Sequence, residues 1–484
     1  MTPEPAILGA ITIPVVCALG VAVCHRRPNL REAVTLVAAP LLFLTVGTLL
    51  SPVLAGARPS LRLFEIIPGL PIAFEVEPLG TLFALVASSL WIASAVYSIG
   101  YMRANREAHQ TRFYVCFALA LSAAMGIAFA SNLITLFLFY EALTLVTYPL
   151  VTHRGDDEAR RGGRLYLGLL LGTSTVFLLP AVIVTWSIAG TLDFTPGGIL
   201  AGKVSPGGAA LLLALFMFGI GKAALMPVHR WLPAAMVAPT PVSALLHAVA
   251  VVKAGVFTVV KVIVYVFGIT AFGAETFAWL PWVAGFTIVA GAIVSLRSDN
   301  LKRRLAYSTV SQLSYVVLAA SLLAPLSIIG AAVHIAAHAF AKITLFFAVG
   351  AIYTASHKTE VSQLDGIGRR MPWTMGAFGI GALSMIGLPP TVGFLSKWYM
   401  VSGALEVSHW GALSVIGAST LLNAGNYVPI VYRGFFREAR EGEPEHGEAP
   451  STMVTALVAT SALTILLLFF GDIPIALARA LIGR

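Results

Sequence analysis

The sequence predicts an all-α polytopic membrane protein with about fourteen transmembrane helices, and three observations carry that expectation. The 484 residues are 58% hydrophobic and only 11% charged, against roughly 25% charge in an average soluble domain, and the mean hydropathy is +0.88. Apolar runs long enough to cross about 30 Å of hydrocarbon recur along almost the whole chain. Basic residues gather in alternate connections between those runs.

The first runs cover 5–25 and 33–56. No basic segment precedes Pro5 and no convincing small-residue cleavage site follows the first run, so it reads as a retained helix. The connection 57–78 alternates in Leu61–Glu65 and Ile72–Val76 around Pro68-Gly69, which predicts a small β-hairpin capping the outer face. Runs at 79–99, 113–130, 132–151 and 163–186 follow.

The seventh run, 209–227, carries Gly219 and Gly221 just before Lys222 and ends on Pro227, so an interrupted helix is expected there. Pro239-Thr240-Pro241 opens the eighth, 241–265. Runs at 274–296, 305–323 and 327–354 lead to 373–403, where Pro389-Pro390 imposes a second break. The last runs are 411–432 and 452–471. The acidic connection 437–448 contains Gly and Pro and is expected to be mobile or partner-facing.

Of the 31 basic residues, 21 lie in one set of connections, from Arg26 to Arg440, and five in the other: Arg58, Arg62, Lys203, Arg479 and Arg484. This split implies a multi-pass protein of the plasma (inner) membrane whose basic side is cytoplasmic and whose termini both face outward. The net charge of +9 is thereby assigned to topology and the lipid bilayer, with no nucleic-acid partner.

Away from the ends of the runs one carboxylate, Glu141, lies inside them, with Lys222, Lys253, Lys342 and Lys397. Unpaired, these five groups would cost roughly 12 to 17 kcal/mol at mid-bilayer, at about 2.5 to 3.5 each. Glu141 and Lys222 are therefore expected to act as a proton-transfer pair, with Lys253, on the helix opened by Pro239-Thr240-Pro241, and Lys397, beside the Pro389-Pro390 break, extending the same chemistry. His334, His338 and Lys342 fall at i, i+4 and i+8, a stripe about 12 Å long that suits a hydrated proton relay. His247 reads equally as polar core or relay. Lys261, near the outer end of its run, reads as a snorkelling side chain.

An HxxxH pair without HExxH or a further ligand gives no metal site. Cys17, Cys24 and Cys116 have no CxxC spacing and read as small core hydrophobes, neither disulfide nor cluster ligands. No Walker A, dinucleotide fingerprint, paired-haem or Ser/His/Asp arrangement has a plausible context. The expectation is that this chain holds no cofactor and performs no redox or hydrolytic chemistry itself.

At Val228–His247, Phe139-Tyr140-Glu141, Lys302–Gln312, the histidine stripe and Gly387–Pro390 with Gly393-Phe394, the chain resembles the antiporter-like subunits of respiratory complex I, Mrp-type cation/proton antiporters and membrane-bound hydrogenases. The resemblance spans roughly 60–430. It implies two inverted five-helix repeats, here 113–265 with a broken helix near 227 and 274–432 with one near 389, flanked by helices in 5–99 and 452–471. It also implies Glu141 and Lys222 as coupling pair, Lys253 as central relay, Lys397 at the end of the second half-channel, and other membrane subunits as partners. Lys397 resembles the D-type member of Mrp antiporters and the N-type member of complex I. Ala234 departs from the family's WLPDA motif. The absence of a long C-terminal lateral helix sets the chain apart from the largest complex I subunit.

The function expected is a proton-translocating subunit, most like the D-type member of a Na+(K+)/H+ antiporter, exchanging protons and Na+ or K+. The alternatives are a pump subunit of an NADH-quinone oxidoreductase or membrane-bound hydrogenase, and a purely structural membrane subunit.

Overall fold

A computed structural model describes residues 3–439 and 445–483. Arg440 and Arg484, and residues 440–444 of the acidic connection, lie outside the described residues. Each of the fourteen expected runs coincides with a helix or a pair of helices.

These are α1 (Pro3–Val23), α2 (Pro28–Gly47, followed by a turn at Leu50–Leu54), α3 (Pro78–Ala104), α4 (Gln110–Phe129), α5 (Leu133–Val151) and α6 (Asp157–Ala189). Next come α7 (Pro206–Gly219), α8 (Thr240–Phe267), α9 (Ala274–Arg297), α10 (Leu301–Ser321) and α11 (Pro325–Ser356). The broken pair α12 (Pro372–Ile386) and α13 (Val392–Glu406), then α14 (Trp410–Phe436) and α15 (Ser451–Phe469), complete the set. A short helix, α16 (Asp472–Leu481), was not expected.

Ten spans among the described residues are uninterrupted and apolar enough to cross a bilayer. The other four runs are the short α7, the broken α12–α13 pair, and α10 and α14, which are long enough but carry polar residues such as Ser308, Gln312, Asn423 and Asn426.

Sequence sets several helix starts directly. Asn132 accepts from Thr135 N (2.8 Å), Asp156 from Ala159 N (2.7 Å), and Glu77 from Leu79 N and Gly80 N (both 2.9 Å), each satisfying a donor that the first turn leaves free. Gly190, at φ 72°, ends α6 in the left-handed conformation.

The hairpin forms as expected: β1 (Ser60–Ile67) pairs antiparallel with β2 (Leu70–Glu75). Alternate β2 residues Leu70, Ile72 and Phe74 are buried, and Ser131 N donates to Ala73 O (3.1 Å), so the hairpin is sewn to the start of α5.

The interior is built around α8 and α11, the most hydrophobic window of each being wholly buried. Helix α11 packs against α3, α10, α12, α13 and α15. The outward faces of other helices remain apolar, with Val16, Leu44, Leu211, Phe286 and Leu421 all exposed, the composition required of a surface solvated by lipid.

One expectation needs correction here. Glu141 is not the sole carboxylate within the helical spans: Glu32 sits five residues into α2, buried, ion-paired with Arg103 and 3.4 Å from Arg31. Helix α2 starts five residues before the apolar run because Pro28 is accommodated in its first turn, and Arg103 neutralises the acid from α3.

Candidate functional site

The polar side chains of the two central helices meet those of the broken helices in one buried thread. Lys397, in the second turn of α13, donates to the carbonyls of Met385 (3.2 Å) and Ile386 (2.8 Å), which end α12. Those carbonyls have no partner within the helix and carry the negative end of its dipole, so a cation is favoured there. Gly387 makes room: at φ 92° it takes a left-handed turn, and a Cβ on it would stand 2.5 Å from Lys397 Cδ.

From Met385 O the thread passes to Gln312 Nε2 (3.4 Å) on α10, and Gln312 Oε1 lies 3.1 Å from His334 Nε2. His334 Nδ1 is hydrogen-bonded to Ser396 Oγ (2.8 Å). One turn along α11, His338 stacks on His334 with ring centroids 6.0 Å apart, and its Nδ1 accepts a hydrogen bond from Lys253 of α8. Lys397, His334, His338 and Lys253 are thus brought together across three helices.

Lys342, one turn further on α11, has a separate cradle: it donates to Ser308 Oγ (2.9 Å), Tyr427 OH (3.3 Å) and Leu305 O (3.4 Å). His247 sits in a π-helical turn, Leu245–Val249, with its ring 4.7 Å from Phe346 and both ring nitrogens buried without a hydrogen-bond partner. Its surroundings include the charges of Lys253 and Lys342.

Lys222 lies where α7 gives way to a single 3-10 turn, Gly221–Ala223. Its amine donates to Tyr140 O (2.8 Å) and Thr144 Oγ1 (2.6 Å) and rests 3.2 Å from the centroid of the Tyr140 ring. Glu141 is its electrostatic neighbour but forms no ion pair with it among the described residues, and Glu141 Oε1 is buried with no hydrogen-bond partner. On the far side of Lys222, Gly255 of α8 lets the backbones touch: a Cβ there would lie 2.3 Å from Lys222 C. Lys253 is two residues away.

Sequence reasoning missed the neutral members. Tyr140, Thr144, Ser308, Gln312, Ser396 and Tyr427 are the donors and acceptors that hold the lysines and histidines. The available signal was polar residues inside otherwise apolar spans, two of which, Ser308 and Gln312, stood in the motif Lys302–Gln312.

Lys261 does not snorkel. It is buried on α8, donates to Ala130 O (2.8 Å), and stands 3.4 Å from Glu77 Oε1. The hairpin and the start of α5 cover the position, so the chain end cannot reach water and a buried partner holds it instead.

On the basic side, a cavity of about 590 Å³ is lined by Arg154, Lys302, Arg303 and Lys358, with Glu158 and Ala234. Ala234 therefore lines an accessible mouth at the position where the WLPDA motif has a carboxylate. Lys302 bridges into the wall through Met236 O (3.4 Å) and Ala238 O. In the connection between α3 and α4, burial raises the pKa of Glu107, opposed by Arg154 and Lys302. His153, just beyond α5, is pushed down to about 4 by burial, with Arg112 acting in the same sense.

Comparison with known proteins bears on the family and the fold. The family model described as NADH:quinone oxidoreductase/Mrp antiporter, transmembrane, matches residues 130–423. The N-type subunit of the NADH-quinone oxidoreductase of Desulforudis audaxviator is 33% identical over 381 residues, 78% of this chain and 74% of that one. The A/B component of a probable K(+)/H(+) antiporter of Rhizobium meliloti is 30% identical over 380 residues, 78% of this chain but 37% of the relative. A chain in the Mrp complex of Dietzia sp. superposes with a TM-score of 0.86 at 20% identity, over 100% of this chain and 97% of that one.

Proposed function

The chain belongs to the NADH:quinone oxidoreductase/Mrp antiporter transmembrane family, and from that membership and the buried thread we propose that it is the proton-translocating, antiporter-like subunit of a multisubunit membrane complex. The observation that carries this reading is the succession Lys397, Gln312, His334, His338 and Lys253 through the otherwise apolar interior, joined by hydrogen bonds through Met385 O and by the stack of the two imidazoles. Imidazoles and amines exchange protons, whereas a purely structural core at this depth has no use for four ionisable groups in series.

In this reading Lys222, Lys253 and Lys397 transfer protons, His334 and His338 relay them, and Lys342 and His247 stand beside the relay. Glu141 tunes Lys222 through space. The two halves, 113–265 and 274–432, act as inverted repeats meeting at α8 and α11. The basic side is cytoplasmic, with both termini facing outward across a plasma (inner) membrane, and other membrane subunits complete the assembly.

Within the family the chain is most like the D-type member of a Na+(K+)/H+ antiporter. The identity to an N-type oxidoreductase subunit favours a second reading, a pump subunit of an NADH-quinone oxidoreductase-like complex. Proton flux in the reconstituted assembly, measured with sodium and potassium varied, tests both. Flux that requires Na+ or K+ supports the antiporter, and flux that requires a quinone reductant supports the pump. Undiminished flux in assembled Glu141→Ala and Lys253→Ala complexes would leave only the structural role.

A further inference from the structure

We propose that the buried Glu77–Lys261 pair is a proton-release station, linking the central Lys253 to water on the hairpin face. This rests on the proton-translocating reading above and adds a site to it.

The site is built from four segments that the sequence keeps far apart. Lys261 ends the α-helical part of α8, eight residues from Lys253 and hence about 12 Å along the same helix. Its amine stands 3.4 Å from Glu77 Oε1, donates to Ala130 O, and lies 4.6 Å from the centroid of Phe194. Glu77 Oε2 accepts from Tyr265 OH (3.0 Å). The guanidinium of Arg58 lies over the Tyr265 ring at 5.8 Å, and Arg58 reaches Glu75 Oε1 at 3.4 Å.

Both members of the inner pair are almost inaccessible, with side chains 1% and 4% exposed, while Arg58 and Glu75 are about one-third exposed at 34% and 31%. By way of Tyr265, polar groups extend from the buried pair to the partly exposed Arg58 and Glu75. The groups facing the pair from all packed elements are Glu75, Arg58 and Tyr265.

A purely structural tether needs one ion pair, and replacing it by apolar side chains is often neutral. A tether gives no reason to extend the polar groups to the surface, nor to set Lys261 on the same helix as the central lysine. Between the two lysines stands Phe257, 5.3 Å from Lys261 Nζ and packed on Phe83 with centroids 5.1 Å apart. This pair of rings closes the inner side of the station.

The step balances as one proton. The Nζ–H bond of Lys261 breaks as an O–H bond forms on the Glu77 carboxylate, giving a neutral amine and a neutral acid. Glu77 then releases the proton to water at the Arg58–Glu75 edge. The Lys261 amine is refilled from protonated Lys253 when Phe257 swings aside and admits water.

The test uses the assembled complex in membrane vesicles, with proton flux expressed per assembled complex and pH varied separately on each face. Lys261→Met and Lys261→Arg are both expected to lower flux at least tenfold, because a guanidinium keeps the ion pair with Glu77 but does not give up its proton. Glu77→Gln, which leaves no carboxylate to take the proton, is expected to lower flux at least tenfold and to flatten the hairpin-face pH profile.

Wild-type flux in Lys261→Met, or an unchanged hairpin-face profile in Glu77→Gln, overturns the proposal. Should Lys261→Met fail to assemble, the Glu77→Gln profile decides. Glu141→Ala separates the two ideas: if it is inactive while Lys261→Met is fully active, only the release station falls, and if both are fully active the translocation reading falls with it.

Discussion

Gly255 is the residue that lets the central lysine's helix touch the broken segment. Because a Cβ would meet the carbonyl carbon of Lys222 at 2.3 Å, Gly255→Val must push α8 and the 3-10 turn apart, at about 1 to 3 kcal/mol for an overpacked interior. A lowered thermal midpoint of the purified complex, with reduced flux below that midpoint, is the expected result. Gly168→Val, where nothing lies within 4 Å, should change neither. His153 gives a pH prediction. Its folded pKa of about 4 lies below the ordinary 6.5, so the unfolded chain binds more protons between those values. The stability it contributes is full above about 6.5 and falls away as pH drops toward about 4. Thermal melts from pH 7 to pH 4 should show a steeper loss in the wild type than in His153→Phe.

Caps and breaks govern the helices. Asn132 holds Thr135 N and also donates to Pro71 O (3.0 Å), joining the start of α5 to the hairpin. Asn132→Ala should cost about 0.5 to 2 kcal/mol, read as a thermal shift, and should increase protease cleavage in 60–75. At this scale much was legible in advance. Proline placement announced the interruptions near 227 and 389, and the i, i+4, i+8 spacing gave the α11 stripe. What hydropathy could not give was the partners. Glu77 falls in a helix cap just outside its apolar run, and 184 positions separate it from Lys261, so their ion pair is a product of tertiary packing alone. Lys222 likewise finds Tyr140 and Thr144 on α5 in place of a direct bond to Glu141.

For the whole molecule, charge asymmetry makes the orientation testable. With Cys17, Cys24 and Cys116 replaced by serine, Arg161→Cys should react with an impermeant maleimide only from the cytoplasmic side and Arg479→Cys only from the opposite one. The reverse labelling would invert the proposed topology. The architecture was readable because lipid imposes a simple rule, that backbone polar groups be paired within helices and outward faces be apolar. The interior obeys a different rule, and α10 and α14 show it: Gln312 joins the thread, Ser308 and Tyr427 cradle Lys342, and Asn426 accepts from Arg304. Lys397 has a mechanical consequence. It is the only cationic donor that Met385 O and Ile386 O receive among the described residues, and a charge at a helix terminus contributes about 0.3 to 2 kcal/mol. Whenever that amine gives up its proton, the grip on the end of α12 slackens, so the joint between α12 and α13 becomes a hinge whose stiffness follows the traffic through it.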